Sequence, residues 1–265
     1  MSAGFTPAHR GGSGPPLVCL HGFTDTWRTW ELVLPALERR HEVFAPTLPG
    51  HAGGPPLAGL GQTAAVDAVE RLLDEAGIAS AHLVGNSLGG YLALRLAERG
   101  RAESVVALAP GGGWAGEDAA VDQELAGHFS TMQELVRRSA PDADRIVATD
   151  DGRRSVTRFT TVSYAHIPAE LLAHQLRGVA ACADVGPMLE AARVEGWSLD
   201  AERIACPVRI VWGTEDVLLR WPAAAARHRR ALPHVDWVVL DGVGHCPQLD
   251  VPLETAELIL GLTAR

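Results

Sequence analysis

Gly85-Asn86-Ser87-Leu88-Gly89 is a G-x-S-x-G set between an apolar run ending in Leu83-Val84 and a stretch of helical spacing that opens at Leu88. The pattern suits a serine carried on a strand-to-helix turn. The backbone is strained there, and side chains at 85 and 89 would collide with chain passing close by. The hydroxyl is left at a helix N-terminus, where backbone N–H groups can meet developing negative charge. An alcohol nucleophile needs a base and an acid to orient that base. Asp216, in Gly213-Thr214-Glu215-Asp216, and His245, in Gly242-Val243-Gly244-His245-Cys246, each stand just past a strand-like run. Nucleophile, acid, histidine is the chain order this arrangement requires. Glu215 and Asp241 are rival carboxylates, and His21, His51, His166 and His234 are rival imidazoles; His51 reads better as a loop-fixing residue. Cys246 adjoins the histidine, but nothing in the sequence positions it as the nucleophile. A fourth signal is His21-Gly22, where the glycine lets the chain turn sharply and aims the Phe23 N–H into the site.

These residues have to be held at strand ends. Leu17–Leu20, His41–Ala45, Ser80–Val84, Glu103–Leu108, Val208–Trp212 and Val235–Leu240 read as strands, the most apolar of them buried on both faces. Helical spacing runs over Trp30–Leu37, Gln62–Gly77, Leu88–Arg99, a segment near 222–232, and Pro252–Leu262. This alternation predicts a mostly parallel sheet covered on both sides by helices. Residues 1–16 read as a lead-in segment, and the Gly- and Pro-rich stretch Pro46–Gly61 as loop. After Ala109 the rhythm stops. Helical patterns near 118–139, 168–181 and 184–196, separated by Asp151-Gly152-Arg153-Arg154-Ser155 and by Pro168, predict a helical insertion.

The 265 residues suffice for one large domain, or for a core plus an insertion, without covalent staples. With 47% hydrophobic and 21% charged residues, an intrinsically disordered chain is excluded. The formal charge is −9, every basic residue is Arg, and no basic block exceeds two residues, so a nucleic-acid footprint is missing. Cys19, Cys182, Cys206 and Cys246 are too dispersed for a disulfide framework. The histidines and cysteines show no metal-ligand spacing, and no dinucleotide fingerprint follows a strand, so neither metal nor cofactor is expected. No run approaches 18 apolar residues, and the amino terminus lacks a hydrophobic signal core. The sequence therefore predicts no membrane insertion and a cytoplasmic location.

Taken together, HGFTDTWRTW (21–30), PTLPGHAGG (46–54), VGNSLGGYLAL (84–94), VWGTEDVL (211–218) and GVGHCPQLDVP (242–252) resemble the α/β-hydrolase superfamily over essentially the whole chain. The resemblance implies an α/β-hydrolase core at 1–114 and 201–265, with a helical cap at 115–200. It implies Ser87 as nucleophile, His245 as base and then acid, Asp216 as the residue orienting the imidazole, and the backbone N–H groups of Phe23 and Leu88 as oxyanion hole. Trp27, Trp114, His166, Trp221 and Cys246 are expected around the pocket. Only 16 residues precede the strand before His21, so the family's N-terminal hairpin is expected to be reduced or absent, leaving six main strands. Dehalogenases and epoxide hydrolases with a similar cap use Asp at the elbow, and Ser87 argues against both. The cofactor-free haloperoxidases usually carry Met where Leu88 stands. The implied activity is hydrolysis of small, largely apolar carboxylic esters. Carbon–carbon bond hydrolase, thioesterase, lactonase and cofactor-free peroxidase chemistry remain alternatives, with a non-enzymatic small-molecule binder more remote.

Overall fold

The computed structural model describes residues 4–113, 119–183 and 185–264. Seven strands form one sheet: β1 (Ala8–Gly12), β2 (Pro16–Leu20), β3 (Glu42–Pro46), β4 (Ala81–Asn86), β5 (Ala102–Leu108), β6 (Val208–Gly213) and β7 (Asp236–Leu240). Their order is β1-β3-β2-β4-β5-β6-β7, with β1 antiparallel to β3 and every other neighbouring pair parallel. Helices α1 (Leu34–Leu37), α2 (Gln62–Glu75) and α3 (Leu88–Glu98) alternate with the first strands. Between β5 and β6 lie α4 (Ala119–Ser139), α5 (Ala143–Val147), α6 (Asp150–Thr157), α7 (Ala169–Ala181) and α8 (Val185–Glu195). The chain continues through α9 (Ala226–Ala231), α10 (Pro247–Asp250) and α11 (Pro252–Thr263).

The central strands are continuous apolar runs because both of their faces are covered. Successive side chains point to opposite faces. Val18, Leu20, Leu83, Val105 and Ile210 therefore pack against α2 and α3, together with Val66, Val69, Tyr91 and Leu94. Leu17, Cys19, Val84, Val106 and Val211 pack on the other side against Trp30, α1 and α11. Among the described residues, no helix is long and apolar enough to cross a membrane.

Three local expectations are corrected. The sheet has seven strands rather than six, because β1 lies inside the lead-in segment. As an edge strand it has no face buried enough to demand apolar alternation, and only its antiparallel pairing with β3 reveals it. Among the described residues, one antiparallel strand thus precedes β2. The helix expected over Trp30–Leu37 is broken into a 3-10 turn at Trp27–Trp30 and the short α1, with Pro35 in the first turn of α1. Asp151-Gly152-Arg153-Arg154-Ser155 is no break but the body of α6. The Thr149 hydroxyl caps that helix by accepting the Gly152 N–H at 3.1 Å.

The α4–α8 layer is fastened to the loop after β7. Buried Asp250 accepts the N–H groups of Val162, Ser163 and Gly244, and the Thr160 carbonyl accepts the Cys246 N–H at 2.8 Å. Ile167, Leu171, Leu172 and Leu176 pack against Cys246 and Leu249. Asp250→Ala would strand the buried Gly244 N–H and remove the acceptor of two more, and urea unfolding should show a loss of about 2 kcal/mol.

Imidazoles brace the loops at the carboxyl end of the sheet. His228 donates to the Gly111 carbonyl at 2.9 Å. The His21 ring meets the His51 ring edge-on at 5.0 Å. Burial lowers the pKa of His51 and of His228 to about 4 and that of His21 well below its ordinary value. As pH falls below about 6.5 the unfolded chain takes up protons that these folded imidazoles refuse. Stability present above that pH is therefore lost as pH falls, for His51 and His228 between about 6.5 and 4 at up to about 3 kcal/mol each. Burial raises the Asp25 carboxyl to about 6, which acts in the opposite sense and offsets most of one imidazole. Thermal unfolding should show a steep fall in Tm over this range, and His228→Gln should flatten it.

Candidate functional site

Ser87 is the single residue between β4 and α3, and it holds the reversal at φ 55°, ψ −116°. Backbone hydrogen bonds fix it from three directions. Its N–H donates to the Leu108 carbonyl at 2.8 Å, and its own carbonyl accepts from Tyr91 at 3.0 Å and Gly111 at 2.9 Å. A Cβ on Gly85 would lie 2.1 Å from the Gly89 oxygen, and one on Gly89 would lie 2.0 Å from the Leu20 oxygen. The glycines of the motif are thus demanded by crossing backbone.

Asp216 follows β6 and is 2% exposed, whereas Glu215 beside it points to solvent. One Asp216 oxygen accepts the N–H groups of Leu218 at 2.9 Å and Leu219 at 2.7 Å. The other lies 2.7 Å from His245 Nδ1. A buried carboxylate there makes Nδ1 the protonated nitrogen and leaves Nε2 with its lone pair. The rival Asp241 is exposed and accepts from the Thr214 hydroxyl at 3.2 Å.

Asn86, next to the serine, was not singled out in the sequence, and it joins the loops. Its amide donates to the Leu108 carbonyl at 3.1 Å and to the His245 carbonyl at 2.9 Å. Its oxygen accepts from Gln248 at 3.2 Å and from the Cys246 thiol at 3.3 Å. Gln248 also donates to the Thr29 hydroxyl at 3.1 Å. The elbow, the histidine loop and the turn after β2 are therefore one buried hydrogen-bonded unit. The only sequence signal for this was a carboxamide at the inner end of a strand. Burial drives the Cys246 thiol well above its ordinary pKa, with Asp25, Asp216 and Asp250 adding to the shift, so it stays protonated.

The turn after β2 differs in detail from expectation. The left-handed residue is Thr24, at φ 66°, not Gly22. A Cβ on Gly22 would lie 3.4 Å from Ser87 Cβ, so this glycine keeps space clear beside the serine. His21 Nε2 accepts the Leu48 N–H at 2.8 Å, and Nδ1 donates to the Gly22 carbonyl at 2.7 Å, which occupies both nitrogens. Among the described residues, neither the Phe23 nor the Leu88 N–H donates to a backbone carbonyl.

Two lobes meet at Ser87, and Phe23, Phe129 and Leu218 line both. The first, about 840 Å³, is walled by Leu57, Leu88, Met188, Leu189 and Trp197. The second, about 860 Å³, holds His245 and Cys246 beside Met132, Phe159, Leu172 and Leu176, with Asp25 and Gln175 among its polar groups. Ser87, His245, Phe23, Leu88 and Cys246 are thus brought together around one cavity, with Asp216 behind the imidazole. Trp27, His166 and Trp221 are not. Trp27 stacks on His9 at 5.2 Å and donates to the Thr6 hydroxyl, so its ring covers the β1 edge. His166 donates to the Leu249 carbonyl at 2.8 Å. Trp221 lies 6.2 Å from both Trp212 and Trp237, under the Arg229 guanidinium, on the α9 side. Trp114 lies outside the described residues. Among the described residues, no group of three His, Cys, Asp or Glu side chains could hold a metal ion.

Comparison with known proteins agrees with this architecture. Over 195 residues the chain is 32% identical to the epoxide hydrolase EphH of Mycobacterium tuberculosis, covering 73% of this chain and 90% of that one. It is 30% identical over 258 residues to a pimeloyl-[acyl-carrier protein] methyl ester esterase of Aromatoleum aromaticum, covering 92% and 96%. A carboxylesterase from Bacillus subtilis superposes with a TM-score of 0.70 at 19% identity, over 97% of this chain and 88% of that one, which is a likeness of fold. Residues 17–258 match the alpha/beta hydrolase family as a whole, and to that family this chain belongs.

Proposed function

We propose that the chain is a serine hydrolase cleaving small, largely apolar carboxylic esters through an acyl-enzyme on Ser87. The observation that carries this reading is the buried Asp216–His245 pair, 2.7 Å apart, opening into the cavity that Ser87 shares. His245 Nε2 takes the Ser87 proton as the oxygen attacks the carbonyl carbon. Negative charge then develops on the carbonyl oxygen, and the Phe23 and Leu88 N–H groups stabilise it. The imidazolium, held in register by Asp216, returns the proton to the departing alcohol. Water activated by the same nitrogen cleaves the acyl-serine and restores the hydroxyl.

The choice of nucleophile separates this chemistry from that named for the mycobacterial relative. A serine that opened an epoxide would form an alkyl ether, which no second water attack at a carbonyl could release. An aspartate forms an ester that water can cleave. With Ser87 at the elbow, only a substrate with an acyl carbon closes the cycle. The first lobe supports an apolar arm, since Leu57, Leu88, Met188 and Leu189 form its walls. A cap over 115–200 and a core at 1–114 and 201–265 fit the cavity lining, because α4 to α8 supply Phe129, Met132, Gln175, Met188 and Leu189.

Hydrolysis of p-nitrophenyl esters from acetate to decanoate tests this. Ser87→Ala should lower kcat at least about 10³-fold, and Asp216→Asn about 10²–10⁴-fold. Rates should rise with acyl length until an arm is filled. A wild-type chain inert on every ester would overturn the esterase reading and send the assignment to acyl-CoA or ring-cleavage substrates.

A further inference from the structure

Asp25 is a carboxylate in the wall of the second lobe that the acyl-transfer chemistry does not use. One of its oxygens accepts the Thr26 N–H at 2.8 Å and the other accepts the Gln175 amide at 3.1 Å. The Thr29 hydroxyl supplies a third hydrogen bond. A carboxylate offers about four lone-pair positions, so one acceptor site is left for whatever enters the lobe. The surroundings give little help to a charge, for Met132, Phe159, Leu172 and Leu176 make the neighbouring wall. Among the described residues, no arginine lines this lobe, and the only other ionisable groups in its wall are His245 and the protonated Cys246. Burial raises the carboxyl to about 6 even against its three hydrogen bonds. A half-buried carboxylate held at that cost, with one acceptor position unused in the wall of the lobe, favours a ligand that brings a donor to it.

We infer that Asp25, with Gln175 bound to it, is the recognition point for a hydrogen-bond-donating tip, a hydroxyl or an ammonium, on the second arm of the substrate. This rests on the esterase reading for the reaction and adds the substrate class. One arm is apolar and fills the first lobe, the other ends in a donor that meets Asp25, and the scissile carbonyl lies between them at Ser87. The same carboxylate repels a substrate whose second arm ends in a carboxylate, because no cation in the lobe offsets the repulsion. Donor and cation are distinguished by the ligand, since either completes the fourth acceptor position.

The test uses Ser87→Ala protein, so that binding is read without turnover. Calorimetric titration compares ethyl esters matched in length and differing only at the tip: methyl, hydroxyl, ammonium and carboxylate, at four- and six-carbon acyl lengths. The hydroxyl or the ammonium tip should bind at least tenfold more tightly than methyl at one of these lengths, and carboxylate more weakly than methyl at both. In the Asp25→Asn version of the same protein the donor preference should collapse toward unity. Equal affinity for all tips, tighter binding of the carboxylate, or no binding of any ester overturns the subsite. So does an equal loss for every tip in the Asp25→Asn protein, which would make Asp25 an anchor of its own loop. The tip comparison in Ser87→Ala protein decides the matter even if Asp25→Asn does not fold. Hydrolysis of the same esters by the wild type separates the two claims. Ser87-dependent turnover without tip preference retains the esterase and removes the subsite, and tip preference without turnover does the reverse.

Discussion

A strand that becomes a helix across one residue leaves no room for side chains on either flank, and the rest of this molecule is arranged around that shortage of space. A methyl carbon at Gly85 or Gly89 would lie 2.1 or 2.0 Å from a carbonyl oxygen, of Gly89 or Leu20 respectively, and would push α3 away from β4 or β2. Ser87 is held in a conformation costing on the order of 1–3 kcal/mol. The packed layers on both faces of the sheet over-determine it. The consequence is chemical. Ser87 borders both lobes of the cavity, and among the described residues the Leu88 N–H that opens α3 donates to no backbone carbonyl.

The other site residues are held by polar side chains rather than by the sheet itself. Asn86 joins the elbow to the histidine loop, Gln248 carries that connection to Thr29, and Asp250 ties the histidine loop to the helices inserted after β5. These loops have no ladder of their own, so buried amides and carboxylates do for them what strand pairing does for the core. The same helices wall the two lobes. Movement of α4 to α8 would therefore reach His245 through Asp250 as well as reshape the cavity.

Much of this was legible in the residues, and the limits have physical causes. Ser87, Asp216 and His245 were readable because each is a polar residue among glycines at the end of an apolar run, where a parallel sheet places its ligands. The strands from β2 onward were readable because burial on both faces forces continuous apolar sequence. β1 was not, since an edge strand needs hydrogen bonds more than hydrophobic side chains. Aromatic residues misled. Trp27 and Trp221 sit close in sequence to site loops, but a tryptophan's position does not tell which way its ring turns, and both rings pack away from the cavity. Trp197, which does line it, lies in a linker with no periodic context. Asn86 stood inside the elbow motif and Asp25 in a polar run, Thr24-Asp25-Thr26, with nothing local to mark either, and the partners that give them their places, the His245 loop and Gln175, come from distant segments.

Everything proposed for the cavity turns on Ser87 being an activated nucleophile. Labelling with an alkyl fluorophosphonate, followed by peptide mass spectrometry, tests it directly, because only a serine deprotonated by a neighbouring base displaces the fluoride at a useful rate. One phosphonyl group per chain is expected, on the peptide carrying Ser87, with esterase activity lost in the same proportion. Labelling at another residue, or full activity in a chain whose Ser87 is blocked, would contradict it.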